Sequence, residues 1–440
     1  MKSNEDEPRT QARRRWRTGV VIGVAAAALL ASACSSSKTG SGGGQSPAGG
    51  SSSAPGDASS SAGGTSSGDD AAAQKLVEQA FQTNVQLSSL PATVQDAFRA
   101  AAKPQTQAQL DTAFKCWQGT ECSTGTGGKT TLGIADGFGD NTWRKISKME
   151  VILQALQYPD IGKIIYTNAH GDLSQMQANV RSLTAQGVKA IVTYDDFGTA
   201  LVPGFAAAQR AGAKVSSFVG GIPGAPTSAV ANQVSVDNCA AGKSMADDAI
   251  EAVGGNGEVA FFNGTPGNPQ GAAWNKCAKD EFKAKGGGVT VSYTADTSWT
   301  PAGAFKAASA LVSSGKSVKA ILYDYADPLP QVVKAFNQAG KPSPALITFT
   351  SNNELNGVWE KAQGTPNAFD LYYTSGLNYE SRVSVTAVMQ LLDGKSVPGQ
   401  LTVPMPFVKA AKGVYAASFP GTYPGPSVLV PESLLSKMLS

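Results

Sequence analysis

The sequence predicts an α/β protein built from two doubly wound parallel-sheet lobes, with a small helical extension in front of them. Three observations carry that prediction. From Thr130 onward, short apolar runs alternate with helix-period segments of a dozen or so residues, the pattern of parallel strands covered by right-handed crossovers. About nine such units follow one another, more than one open sheet comfortably holds. The chain of 440 residues is also turn-rich and sparsely charged, with 49 glycines and 16% charged residues, against about 25% charged in an average protein.

The elements in front of the body come first. Arg13, Arg14, Arg15 and Arg17 precede an apolar run from Val20 to Leu30, and Ala31-Ser32-Ala33-Cys34 follows it. A cationic start, an apolar stretch too short to span a bilayer comfortably and a small-residue cleavage site read as an export signal over 1–33. A cysteine directly after small residues resembles the bacterial lipoprotein box, in which that cysteine receives the lipid; here Leu30 lies one position farther from the cysteine than usual. Of the 34 residues from Ser35 to Gly68, 23 are Ser or Gly, and none is an aliphatic or aromatic residue larger than alanine. Such a segment cannot offset the entropy of ordering, so 34–74 is expected to be a flexible tether with a reach of about 30–35 Å. Together these features predict an exported protein, anchored through lipidated Cys34 to the outer face of the cytoplasmic membrane.

Residues 75–128 are expected to form the helical extension. Leu76, Val77, Ala80, Phe81 and Val85 recur at helical spacing, as do Val94, Ala97 and Phe98, then Leu110, Ala113 and Phe114. A small loop with Cys116 and Cys122 follows. With Cys34 lipidated, four cysteines remain, an even number that favours two disulfides outside the cell. Three pairings are possible. Cys116–Cys122 is local, and Cys239 and Cys277 open or lie on helices of neighbouring βα units, so Cys239–Cys277 is the expected second bond. A zinc site is disfavoured, because C-x5-C plus a distant pair fits no common finger.

In the body, strands are expected at 132–135, 163–167, 190–194, 214–218, 259–263, 290–293, 320–323, 346–350 and 371–374. Helices are expected at 143–156, 175–186, 202–211, 242–253, 272–285, 304–314, 331–339 and 382–392. Gly255-Asn256-Gly257-Glu258-Val259-Ala260 matches a dinucleotide fingerprint in letters only, since it leads into a strand, whereas a phosphate turn leaves a strand and opens a helix. Gly127-Gly128-Lys129-Thr130 lacks the leading glycine of a P-loop and also runs into a strand.

Composition excludes several function classes. The single histidine, His170, rules out multi-histidine zinc sites, and a Ser-His-Asp triad would have to use it. His170 is expected in a strand-to-helix loop, solvated rather than ligating. Residues 1–33 hold six Lys/Arg and three Asp/Glu, leaving 30 of each sign in the rest. No basic footprint for nucleic acid remains. No G-x-S-x-G elbow appears, and neither catalysis nor a cofactor or metal is expected.

In open parallel sheets, ligands lie outside the carboxyl ends of the strands, which for two facing lobes is the cleft. The candidate ligand-binding residues at strand ends are Phe138, Asn141, Trp143 and Arg144, then Tyr194 and Asp195, Trp299, Asp324 and Tyr325, and Asn352. Aromatic faces beside Asp, Asn and Arg suit a polyhydroxyl ring, covering its C–H surfaces and taking its hydroxyls. Asp and Asn before helices also act as N-caps, so about half of these positions are expected to do only that. Arg144, at a helix start where the dipole favours anions, needs a partner: a ligand oxygen, or a carboxylate such as Asp136 or Asp195.

Several segments in order resemble type I periplasmic binding proteins of sugar ABC importers. These are Gly137–Arg144, Asp172–Gln175 leading to Leu183–Ile191, Ala207–Val215, and Val236-Asp237-Asn238 followed by Gly242. The similarity covers about 129–410. It implies two Rossmann-like lobes joined by three hinge strands and closing over one small molecule, with lobe limits expected at about 129–235 with 376–400, and 236–375 with 401–440. In ribose and galactofuranose relatives the first loop supplies aromatic and arginine contacts, which would fall on Phe138, Trp143 and Arg144. Their asparagine-aspartate pair falls on Tyr325-Ala326, their aspartate-arginine pair on Val219-Gly220, and their second-lobe arginine has no counterpart here. The resemblance implies a monomeric solute-binding protein that captures a small polar ligand of sugar type for an ABC permease. The alternatives are a surface receptor feeding a sensor or partner protein, and a binder of a non-sugar solute.

Overall fold

In the computed structural model, which describes residues 67–440 apart from Gly220 and Gly267, two parallel sheets carry the fold. The first sheet has the order β1-β3-β2-β4-β5-β6-β12, with β1 Glu121–Ser123, β2 Thr130–Asp136, β3 Ile161–Asn168, β4 Ala190–Tyr194, β5 Lys214–Phe218, β6 Asn232–Val236 and β12 Gln400–Val403. The second has the order β13-β11-β10-β9-β7-β8, with β7 Gly257–Asn263, β8 Val289–Asp296, β9 Val318–Tyr323, β10 Ala345–Thr348, β11 Leu371–Thr374 and β13 Phe407–Lys409. Only the edge strands β1 and β13 run antiparallel to their neighbours. Helices α4 Thr142–Ala155, α5 Leu173–Ala185, α6 Val202–Arg210 and α12 Glu380–Leu392 belong to the first lobe. The second carries α7 Asn238–Val253, α8 Pro269–Ala284, α9 Pro301–Ser313, α10 Leu329–Gln338 and α11 Asn353–Ala362. Val, Ile, Leu and Ala fill both faces of the central strands, as sheets covered on both sides require.

The helical extension consists of α1 Ser67–Phe81, α2 Ala92–Ala101 and α3 Gln107–Gln118. Helix α1 takes in Ser67–Gln74, which the sequence assigns to the tether. Asp69 and Asp70 lie in its first turn, where the helix dipole favours them, and Ala71–Ala73 are strong helix formers. The extension packs on the first lobe: the Phe81 and Phe98 rings lie 4.9 and 5.6 Å from the ring of Tyr379, at the start of α12. Both expected disulfides are present, Cys116–Cys122 stapling α3 to β1 and Cys239–Cys277 joining α7 to α8.

One boundary differs from the sequence reading. Residues 401–440 do not all belong to the second lobe, since β12 pairs with β6 in the first sheet. Val428, Val430, Leu434 and Leu435, the last two on α13 Glu432–Leu439, also pack in the first lobe's core. The chain between them is a strap. Asn353 N donates to Tyr423 O and Glu354 N to Gly421 O on the second lobe; Leu429 N then donates to Glu150 Oε1 of α4 on the first. With the crossings after β6, after β11 and between β12 and β13, the strap gives four connections between the lobes among the described residues.

The export signal, Cys34 and most of the tether lie outside the described residues. No helix among the described residues is long and apolar enough to cross a membrane.

Candidate ligand site

Strand ends of both lobes face each other across a small cavity of about 20 Å³. Thr142 and Trp143 line it from the first lobe, Tyr325, Asp327, Thr350 and Ser351 from the second. Gly376 and Asn378 line it from the crossing after β11, and Thr422 and Pro424 from the strap. A volume of that size holds about one water molecule, so a ring-sized ligand needs the lobes to part and close around it.

Trp143 stands at the first turn of α4 because Asn141 caps that helix, its Oδ1 accepting Arg144 N at 2.8 Å. The indole Nε1 donates to Gly376 O, and the ring meets Tyr194 edge-on at 5.5 Å. Tyr194 in turn packs edge-on against Phe218. The guanidinium of Arg144 is buried behind this wall, 2.6 Å from Asp136, 2.5 Å from Asp196 and stacked on Tyr194. Of the two carboxylates expected as its partners, Asp136 is one; the other is Asp196, not Asp195. Both carboxylates hold the guanidinium, and Arg144 does not line the cavity. The resemblance could not show this, because the second partner is contributed by the loop after a different strand.

Asp195 caps a short 3₁₀ turn, accepting from Phe197 N at 2.7 Å and Gly198 N at 3.0 Å. Its other oxygen, Oδ2, is buried without a hydrogen-bond partner among the described residues. Burial pushes the carboxyl up to about 6. Phe138 is exposed and leans toward Gly171, and His170 is exposed and pairs with Asp140.

In the second lobe Asp324 is buried and accepts from the indoles of Trp299 at 2.8 Å and Trp274 at 3.1 Å; burial pushes it up to about 6. The Trp299 ring lies over Gly264, where any Cβ would collide with it. Tyr325 Oη donates to Asp327 Oδ2 at 2.6 Å, and Asn352 Nδ2 donates to Asp327 Oδ1 at 2.7 Å while its own Oδ1 caps α11 at Leu355 N. Of the ten expected residues, Trp143 and Tyr325 line the cavity. Tyr194 and Asn352 support it from behind, Asn141 and Asp195 act as caps, and Phe138, Arg144, Trp299 and Asp324 do not line it.

Sequence reasoning missed Asn378. Its Nδ2 donates to Trp143 O at 3.1 Å and Ser147 Oγ at 2.9 Å, and its Oδ1 is buried without a partner among the described residues. The rule that ligands lie at strand ends, applied to β11 as to the others, points at this residue. Thr422 and Pro424 carry no such signal, since they lie in irregular chain.

Residues 134–396 match the model of the periplasmic binding protein domain family. The chain belongs to that family, one of solute-binding proteins rather than enzymes. A search of curated proteins finds no match. Among solved structures, an ABC transporter solute-binding protein of Actinobacillus succinogenes 130z with bound D-allose is similar at 18% identity and a TM-score of 0.56, over 64% of this chain and 97% of that one. A solute-binding protein of Bacillus halodurans C-125 with bound myo-inositol aligns at 16% identity and 0.56, over 64% and 96%. One from Thermobispora bispora DSM 43833 aligns at 25% identity and 0.54, over 63% and 84%.

Proposed function

We propose that this protein is an extracytoplasmic, lipid-anchored solute receptor that captures a sugar or polyol between its lobes and delivers it to an ABC permease. The observation that carries the reading is the cavity itself, which draws its lining from both lobes and from two of the chains that connect them. A ligand held there stabilises the closed arrangement, because it gains contacts with both walls only when they meet. Trp143 and Tyr325 offer aromatic faces to C–H surfaces, and Asp327, Asn378, Thr350 and Ser351 offer hydrogen bonds to hydroxyls. The allose- and inositol-bound relatives support the ligand class, and the pattern around Cys34 supports the anchor.

The test is a thermal-shift screen of the purified chain against sugars, polyols, amino acids and nucleosides. A binder at 100 times its Kd adds about 2.7 kcal/mol of stability. A sugar or polyol is expected to be among those that shift the transition; stabilisation by amino acids or nucleosides alone contradicts the ligand class. Wild-type protein is expected in the membrane fraction, and Cys34→Ser is expected to release it.

A further inference from the structure

The loops that leave the strands toward the cleft are 136–142, 168–172, 194–201, 219–231, 263–268, 296–300, 323–328, 349–352 and 375–379. They contain eight aspartates and no lysine or arginine. Over the whole chain basic residues slightly outnumber acidic ones, 36 to 33, so this segregation does not follow from composition. The nearby cation, Arg144, does not neutralise it. It lies between Asp136 and Asp196 and leaves that group of three with a net negative charge.

At the cavity the same bias continues. Asp327 lines it, held in place by Tyr325 and Asn352, and no cationic side chain lines it. Asn378, 2% exposed, has both its ordered donor contacts turned to Trp143 O and Ser147 Oγ, so the group left for the cavity is the unpartnered acceptor Oδ1. Asp327 accepts two neutral hydrogen bonds but meets no cation at the cavity, so closing the lobes over it is less costly when a countercharge enters with the ligand. Aromatic faces beside a carboxylate are also a favourable setting for a cation.

We infer that the ligand is a polyhydroxylated ring bearing a protonated amine, an amino sugar or aminocyclitol, whose ammonium is received by Asp327 and Asn378 Oδ1 between the faces of Trp143 and Tyr325. This rests on the sugar and polyol reading above and narrows it.

The experiment uses the full chain and matched compounds differing in one group: D-glucose, D-glucosamine and D-glucuronate; D-galactose and D-galactosamine; myo-inositol and an amino-deoxyinositol. Thermal shift ranks them, and calorimetry gives Kd for those that act. The amine is expected to bind at least tenfold more tightly than its neutral partner, and Asp327→Asn, which keeps the shape, is expected to remove most of that difference. Equal or tighter binding of the neutral or acidic member overturns the inference while leaving the sugar reading intact. Equal loss of amine and neutral binding in Asp327→Asn overturns the charge assignment. No shift with any of these compounds overturns the inference, and if the wider sugar and polyol screen is also silent, the sugar reading falls with it.

Discussion

The indole Nε1 of Trp143, on the first lobe, donates a 2.5 Å hydrogen bond to the carbonyl oxygen of Gly376, in the crossing after the last parallel strand of the second lobe. One side chain therefore forms a wall of the cavity and also ties the first lobe to the connection after β11. Trp143→Phe keeps the face and loses the bond, a change of about 1 kcal/mol. Trp143→Ala loses both and is expected to weaken ligand binding by tenfold or more. Calorimetry on the two variants separates stacking from hinge geometry; equal affinity in both and in wild type contradicts the assignment.

Arg144→Ala leaves the buried Asp136 without its cation and frees the more exposed Asp196. Removing one partner of such a group costs about 3–5 kcal/mol, so this variant is expected to lose stability in urea denaturation. Loss of ligand affinity with an unchanged midpoint would mean that the guanidinium grips ligand after all.

How much of this was legible in the sequence follows from which signals are local. β4, β5 and β11 are read to the residue from short runs of apolar and β-branched side chains. β6 escapes because its polar residues are buried: Asn232 bonds Pro398 O, Gln233 accepts from Ile222 N and Ser235 accepts from Gln400. A strand satisfied by partners far along the chain looks like a loop. The aromatic and acidic character of the strand ends was legible too. Which side chains turn into the cavity was not, because that depends on pairs such as Arg144–Asp196 and Asn378–Trp143 that only the fold brings together.

The two disulfides close loops of different size, with sequence separations of 6 and 38. The chain-entropy model gives the longer one about 4 kcal/mol and the shorter about 2 kcal/mol. Replacing Cys239 and Cys277 by serine is therefore expected to lower the denaturation midpoint more than replacing Cys116 and Cys122. The reverse order contradicts the model.

Asp195 and Asp324 are raised to about 6 by burial, and Asp248 to about 7 by burial with Glu251 and Asp247 nearby. Their folded values lie above the unfolded ones, so the folded state takes up protons first as pH falls. Stability is expected to rise from pH 7.5 to pH 5, visible as a Tm a few degrees higher at pH 5 without ligand. A lower Tm at pH 5 would show that these carboxylates are not held in apolar surroundings.

The strap is expected to limit how far the lobes part. Between Tyr423, fixed to the second lobe, and Leu429, fixed to the first, the chain spans at most about 20 Å. Six Gly/Ser residues inserted between Gly425 and Pro426 are expected to broaden the distance between spin labels at Ser182→Cys and Ser313→Cys in ligand-free protein. An unchanged distribution means that the other connections set the limit.

The most direct measurement of the central claim, that one small molecule is held between Trp143, Asp327 and Asn378, is calorimetric titration of the first sugar-class compound found to raise Tm. It is carried out on wild type and on Trp143→Ala, Asp327→Asn and Asn378→Ala, each checked for an unchanged fold by circular dichroism. The predicted result is one site per chain in the wild type and a loss of at least tenfold in affinity in Trp143→Ala and Asn378→Ala, and in Asp327→Asn when the compound carries an amine. Wild-type affinity in all three would place the ligand elsewhere and contradict the account.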